Sequence, residues 1–465
     1  NWTAIGTGEN AVPYEFAVFK EERDPSLVAV APGAHDGGPL SVPIYWDQPA
    51  MERTERWLGV VAASSSPTVL ADLGLFPLAI RRTGANTPAD VALFNDTTYS
   101  TVIPGSTTHD RMFIDVPPDA ARLEISVEGA VSGVTLRRRG FDELAATVPA
   151  TPPAPDPVLI EAEVSGDAFV AELVDSGDSP IDAGRYYVVI ENDFPSEQAA
   201  EVTATVTMAE AGPTPELQNY PRRGLWGPVS RSINQGIDFQ LGGGGRFVVW
   251  YTYDEAGLPT FYITDTVDFD PGNPFFDAVL FRPTSNDVRA TLKVVGEAQF
   301  TAVAEDRIMF AWRLNGNHGA EMHDPATNTT CPTIDGDSVP LLGHWVSRTT
   351  SAGGATVLIT DSAEAWIRYY YDNLNRPRWV LADEELPATL PGGNLMEVLE
   401  YRGFCAYCAV QPVTNEVIGT LERQFIDADT AREVSNFVAG PPINASVDID
   451  REIELTSFPA PCANP

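Results

Sequence analysis

Two stretches of this chain are copies of one another. Gly224 to Asp265 reads GLWGPVSRSINQGIDFQLGGGGRFVVWYTYDEAGLPTFYITD, and Gly343 to Asp383 reads GHWVSRTTSAGGATVLITDSAEAWIRYYYDNLNRPRWVLAD. Trp226 answers to Trp345; after one deleted residue, Asp254 answers to Asp372, Pro259 to Pro377 and Phe261 to Trp379. An internal repeat sets the domain count before any finer reading. Each copy predicts a β-hairpin. Phe247, Val249, Tyr251 and Tyr253 alternate along one face, as do Ala365, Ile367, Tyr369 and Tyr371, and a two-residue period of aromatic and β-branched residues marks a strand. Gly257 and Asn375 stand at equivalent turn positions. These residue types best tolerate a left-handed backbone, which a short hairpin loop requires.

The rest of the chain reads as short strands between Pro, Gly and Ser clusters, with no long amphipathic helix. The expected fold is all-β: two β-sandwich domains followed by two related antiparallel meander domains, barrel- or sandwich-like. The expected boundaries are 1–95, 96–211, 212–328 and 329–465. In the first domain strands are predicted at Pro13–Lys20, Leu40–Trp46, Arg56–Ala63 and Leu73–Arg81. In the first repeat domain they are predicted at Ala278–Phe281, Ala290–Val295, Gln299–Val303 and Arg307–Leu314, with His318 to His323 in a loop. The proline-rich run Val148 to Pro157 is either a linker or an internal loop. The loop reading is preferred, because too few strands precede the run to complete a sandwich.

With 29 basic against 65 acidic residues the formal charge is −36. Nucleic acid and anionic membranes need a basic face, so neither is expected as a partner. No apolar run is long enough to span a membrane as a helix. Lysine occurs only at Lys20 and Lys293; the acidity fits an extracellular protein and is compatible with a saline habitat. Asn1 opens in mid-pattern, as expected of a piece processed from something longer. Cys331, Cys405, Cys408 and Cys462 all lie in the last third. Disulfides and an oxidising compartment are expected, with Cys331–Cys462 and Cys405–Cys408 the preferred pairing among three. A four-thiolate zinc site is the rival, but only one pair is close in sequence.

Three runs resemble the fibronectin-III-like domain that follows the catalytic domain in secreted bacterial subtilisin-like proteases: Leu40 to Met51, Glu55 to Ala62 and Asp72 to Arg81. Phe113 to Ala120, Leu123 to Val127 and Asp182 to Ile190 resemble a pre-peptidase C-terminal domain. The Gly-x-Trp … Trp-Tyr-Thr-Tyr-Asp … Gly-x-Pro repeats are similar to modules of uncharacterised secreted proteins of gammaproteobacteria. The resemblance implies a secreted, Gram-negative bacterial protein. It also implies a non-catalytic region used for binding, attachment or self-association, whose protease domain lay upstream of Asn1. The Gly-Thr-Ser-Met-Ala nucleophile context of that family is absent from this sequence, so no enzymatic activity is expected of the chain itself. A proteolytically released matrix or filament subunit is the alternative, and an array of carbohydrate-binding modules is a third. The partners these imply are a second copy of the chain or an extracellular polymer.

Site residues follow from side-chain chemistry. Asp265, Asp268, Asp270 and Asn273 are hard oxygen donors in a turn-rich loop and would suit Ca²⁺, against a plain solvated acidic loop. His318 and His323 have the wrong spacing for two metal ligands on one helix face, and on a strand they point to opposite faces. The tyrosine face of each hairpin is expected to fill its own domain core. Trp250 lies on the other face and is Arg368 in the second copy, which places it outside the deep core. Trp250, Arg368 and His344 (Leu225 in the first copy) are therefore the positions at which binding specificity is expected.

Overall fold

The computed structural model describes residues 27–29, 44–46, 56–63, 74–81, 91–145, 158–176, 180–209, 224–229, 235–242, 245–268, 273–285, 290–304, 306–326, 333–334, 337–338, 342–347, 353–359, 363–385, 393–408, 411–427 and 429–456. They are all-β apart from one helix, Phe141–Ala145. The chain divides into two compact units, Asn1–Pro88 and Ala89–Pro465. In the first unit Leu27–Ala29 pairs with Ile44–Trp46, and Arg56–Ala63 with Gly74–Arg81, both antiparallel. Pro13–Lys20 lies outside the described residues.

The second unit begins with a sandwich of two five-stranded sheets. Thr107–Val116 and Gly184–Asn192 pair at the centre of one sheet, Ala120–Gly129 and Gln198–Met208 in the other. Alternate residues of these strands, such as Met112, Ile114, Leu123, Ile125, Val188 and Val202, fill the space between the sheets, as the two-residue period dictates. Val158–Glu161 pairs with Gly133–Arg139, so the strands flanking the proline-rich run belong to one sandwich. The short strand Val91–Ala92 also pairs into this sandwich.

Two closed meander barrels follow. In the first, strands run in sequence order from Gly224–Pro228 to Asn317–Pro325, which pairs back with Gly224–Pro228. A short extra strand, Val267–Asp268, pairs outside the ring. The second barrel contains eight strands, Gly343–Ser347 through Ser446–Leu455, closed by pairing of its first and last. Closure removes the free edges a meander would otherwise expose. Gly257 and Asn375 both have positive φ, 74° and 59°, as their turn positions require. In each turn the preceding aspartate, Asp254 or Asp372, accepts backbone N–H bonds with one carboxylate oxygen.

Two sequence expectations need correction in the first barrel. Ala290–Ala304 is one long strand. Gly296 is not a break: a Cβ there would lie 1.8 Å from the Arg313 carbonyl oxygen, so glycine permits close approach of the neighbouring strand. Asn317–Pro325 is the closing strand of the barrel and not a loop.

Candidate functional site

The barrels are filled with side chains. Trp226, Phe239, Trp250, Phe300, Phe310 and Trp312 occupy the first, with Phe300 and Phe310 stacked at 4.8 Å. Trp250 is 1% exposed, which overturns its placement outside the core. Arg368, its equivalent, is also 1% exposed and points into the second barrel. The exchange of Trp for Arg reflects a polar interior and not exposure. Arg368 Nε donates to Glu433 Oε1, and Arg451 Nη2 donates to Glu433 Oε2 at 3.0 Å. Ser435 adds a bond at 2.6 Å. Burial alone would raise the Glu433 carboxyl, but Arg368 and Arg451 hold it below the usual range. A second buried pair, Arg423 with Glu364, lies in the same interior, where Trp366 Nε1 and Asn394 Nδ2 also donate to Glu364. Buried charges persist only when paired and hydrogen-bonded in this way.

The tyrosine faces are buried too, but elsewhere. Val249, Tyr251, Tyr253 and Phe261 of the first barrel pack against Ile367, Tyr369 and Trp379 of the second. They form the seam between barrels and not the two barrel cores. The contacts are reciprocal. Phe261 lies 5.3 Å and 6.3 Å from Tyr369 and Tyr371; its equivalent, Trp379, lies 6.2 Å and 5.6 Å from Tyr251 and Tyr253. Residue i touching j while j′ touches i′ is the signature of an isologous, twofold interface. Asp238 and Thr356, also equivalent, meet at its centre. Thus the two copies form an internal pseudo-dimer.

His344 sits at the rim of this seam, half-buried. Its ring stacks on Tyr369 at 5.2 Å and meets Phe247 edge-on at 5.4 Å; the Tyr369 hydroxyl is 2.7 Å from Nε2. Burial pushes its pKa down to about 4, so it is neutral at neutral pH. Trp250, Arg368 and His344 are therefore not brought together: they lie in one barrel, the other barrel, and the seam.

The acidic loop is used locally. Asp265 Oδ1 accepts from the Val279 amide at 2.9 Å and Asn273 Oδ1 from the Phe275 amide at 3.0 Å. Asp268 is exposed at the end of its short strand, and Asp270 lies outside the described residues. Among the described residues no three His, Cys, Asp or Glu side chains form a set that could hold a metal. His318 and His323 face opposite sides of their strand: His323 is fully buried, whereas His318 reaches a surface cleft.

Cys405 and Cys408 are joined in a disulfide; Cys331 and Cys462 lie outside the described residues. The loop that carries this disulfide belongs to the second barrel but closes the end of the first. Ala406 and Tyr407 join the first barrel's core, Tyr407 Oη donates to Glu255 at 2.6 Å, and Gly403 N donates to Gly257 O at 3.1 Å. In return Leu258, from the first barrel's hairpin turn, packs into the second barrel's core. The sandwich is fastened to the first barrel through Phe94, Phe113 and Ala311 and by Arg313 stacked on Phe94 at 4.3 Å.

The sandwich, the first barrel and the disulfide loop all meet at a cleft of about 290 Å³. Phe113 and Arg185 come from the sandwich, Trp312 and His318 to Glu321 from the first barrel, and Ala406 to Cys408 from the loop. Sequence reasoning missed this cleft because its walls come from three modules. It also missed Glu433 and Arg451, whose link to Arg368 has no local spacing signal. The Asp238–Thr356 pair was within reach of the repeat alignment. No family model matches the chain, and no curated protein matches it.

Proposed function

We propose that this chain is a non-catalytic accessory region of a secreted bacterial protease of the subtilisin-like class, serving to attach it to an extracellular polymer or surface. The observation that carries the reading is the joining of sandwich and barrels through continuous apolar seams, with both barrel interiors filled. Among the described residues the barrel interiors are packed with side chains, which leaves recognition to the outer surfaces and the joints. The charge of −36 favours dispersal of the free chain. The test is to mix the purified chain with insoluble extracellular material and separate by centrifugation. Co-sedimentation with no peptide hydrolysis by the chain supports the reading; hydrolysis, or a chain that stays wholly in solution, sinks it.

A second reading, an extracellular structural subunit, is favoured by one observation. Val158–Glu161 and Glu163–Ser165 are edge strands of the two sandwich sheets, and they expose Val158, Leu159 and Val164 at 50%, 48% and 71%. Edges of this kind can pair between chains. Electron microscopy that finds only dispersed monomers at high concentration removes this reading.

A further inference from the structure

We infer that this chain joins to a second copy of itself by pairing two unlike strand edges: residues 290–294, at the end of the first barrel, and residues 158–165, on the flank of the sandwich. The assignment rests on the structural-subunit reading above and names the contact such a subunit would use.

The first edge is the outer strand of a β-hairpin. Ala290–Ala304 pairs with Phe275–Ser285 along most of its length, but with Arg307–Leu314 only from Gly296 onwards. Residues 290–294 therefore pair on one side only among the described residues. The hairpin is anchored through its inner strand, where Pro283 and Ser285 are buried, and the Thr284 and Thr291 hydroxyls are bonded across it at 2.7 Å. The outer strand is open. Leu292 and Val294 are 53% and 60% exposed and lie on one face; Thr291 and Lys293, also exposed, lie on the other. Lys293 stands directly opposite Arg282, and like charges at such a position destabilise a sheet. Neither makes an ion pair among the described residues. In a chain with 65 acidic against 29 basic residues, two neighbouring cations without a carboxylate call for one from outside.

The second edge supplies it. Val158–Glu161 is the outermost strand of one sandwich sheet and Glu163–Ser165 of the other. Glu161 and Glu163 are exposed, and neither makes an ion pair among the described residues. Val158, Leu159 and Val164 are exposed beside them. Each edge thus offers apolar side chains and one sign of charge, and the signs are opposite. Pairing either edge with its own twofold copy brings carboxylates to carboxylates or Lys293 to Lys293, which is disfavoured. Pairing the unlike edges sets Lys293 among carboxylates, with Leu292 and Val294 against apolar neighbours. The charge of −36 opposes any contact that lacks such local complementarity. Both edges lie in the unit Ala89–Pro465, so each copy offers one and receives one. The contact is heterologous, and it propagates as an open chain or closes as a ring.

The test is sedimentation velocity of the full chain over a range of concentrations, with electron microscopy of the concentrated sample. The wild-type sedimentation coefficient should rise with concentration. Lys293→Glu and Glu163→Lys should each weaken association about ten-fold. The two change the net charge in opposite directions, so a general charge effect would move them apart. The variant carrying both substitutions keeps the wild-type charge and should recover association. Both positions are exposed, and near-ultraviolet circular dichroism confirms the fold of each variant. Assemblies unchanged in both single variants, weakened in only one, or not recovered in the double variant overturn the assignment and leave the subunit reading standing. Assembly that depends on Lys293 and Glu163 but stops at small closed rings upholds the assignment and removes an extended filament. Monomers alone at every concentration overturn both.

Discussion

Asp238 and Thr356 occupy the same position in the two copies of the repeat and are bonded to each other. Thr356 Oγ1 donates to Asp238 Oδ2 at 2.7 Å. A hydroxyl has one proton to give, so the Tyr251 hydroxyl, 2.8 Å away, donates to Thr356 in turn. Gln240 Nε2 donates to the other carboxylate oxygen at 2.8 Å. A like pair at this twofold position would set carboxylate against carboxylate or hydroxyl against hydroxyl. Divergence of the copies has produced a donor facing an acceptor.

The first prediction follows from that chain of bonds. Thr356→Val should lower the unfolding free energy by about 2 kcal/mol, since it removes a donor from a fully buried carboxylate. Tyr251→Phe should cost about 1 kcal/mol. The double variant should cost less than the sum, because the two bonds share one hydroxyl. Urea denaturation of the four proteins measures the coupling.

Glu433 bridges two arginines inside the second barrel. Glu433→Gln should destabilise the protein by about 3–5 kcal/mol, the cost of leaving buried charge uncompensated. Arg432→Gln, on the same strand but in an exposed pair with Asp450, should leave the melting temperature close to that of the wild type, because solvent screens an exposed pair. Thermal melting of the two variants checks the contrast; equal effects would show that the interior network does not anchor the second barrel.

His344 gives the seam a pH dependence. Its folded pKa, about 4, lies below its ordinary value near 6.5, so the unfolded chain binds the proton first. Stability from this group is present above about pH 6.5 and is lost as pH falls towards 4, by at most about 3 kcal/mol. Carboxylates titrate in the lower part of this range as well, so the measurement is the difference between wild type and His344→Leu. That substitution restores the residue of the first copy. The wild type should lose stability relative to the variant between about pH 6.5 and 4; parallel curves would contradict the assignment.

Gly257 turns its positive φ towards the disulfide loop, and a Cβ there would lie 2.6 Å from the Gly403 carbonyl oxygen. Gly257→Ala should therefore cost about 1–3 kcal/mol and speed proteolytic cleavage of the loop near Tyr407. Asn375, the equivalent residue, is exposed, and Asn375→Gly should stay within about 1 kcal/mol of wild type.

Much of this architecture was legible in the sequence. The alternation of Tyr251 and Tyr253, the matching turn residues Gly257 and Asn375, and the run of short connections all forecast meanders. The inward face was not legible. Alternation divides a strand into two faces without saying which one curves inwards, and here both faces are buried, one in a barrel and one in the seam. Trp250 and Arg368 looked exposed because an arginine replaced a tryptophan; the partner that makes this tolerable, Glu433, is distant in sequence. The divergence at His344 is visible in the repeat alignment, but its contacts with Phe247 and Tyr369 depend on how two barrels meet. The cleft required a third module as well.

The central claim is that the two copies form one cooperative body across a twofold seam. Native-state hydrogen exchange on wild type and Trp379→Ala tests it most directly. Trp379 belongs to the second barrel, yet it packs on Tyr251 and Tyr253 and donates from Nε1 to the Thr252 carbonyl at 2.9 Å. The predicted result is an equal loss of protection, about 3 kcal/mol, in the amides of Gly245–Tyr253 and Ala363–Tyr371. Loss confined to the second barrel, with the first unchanged, would contradict it.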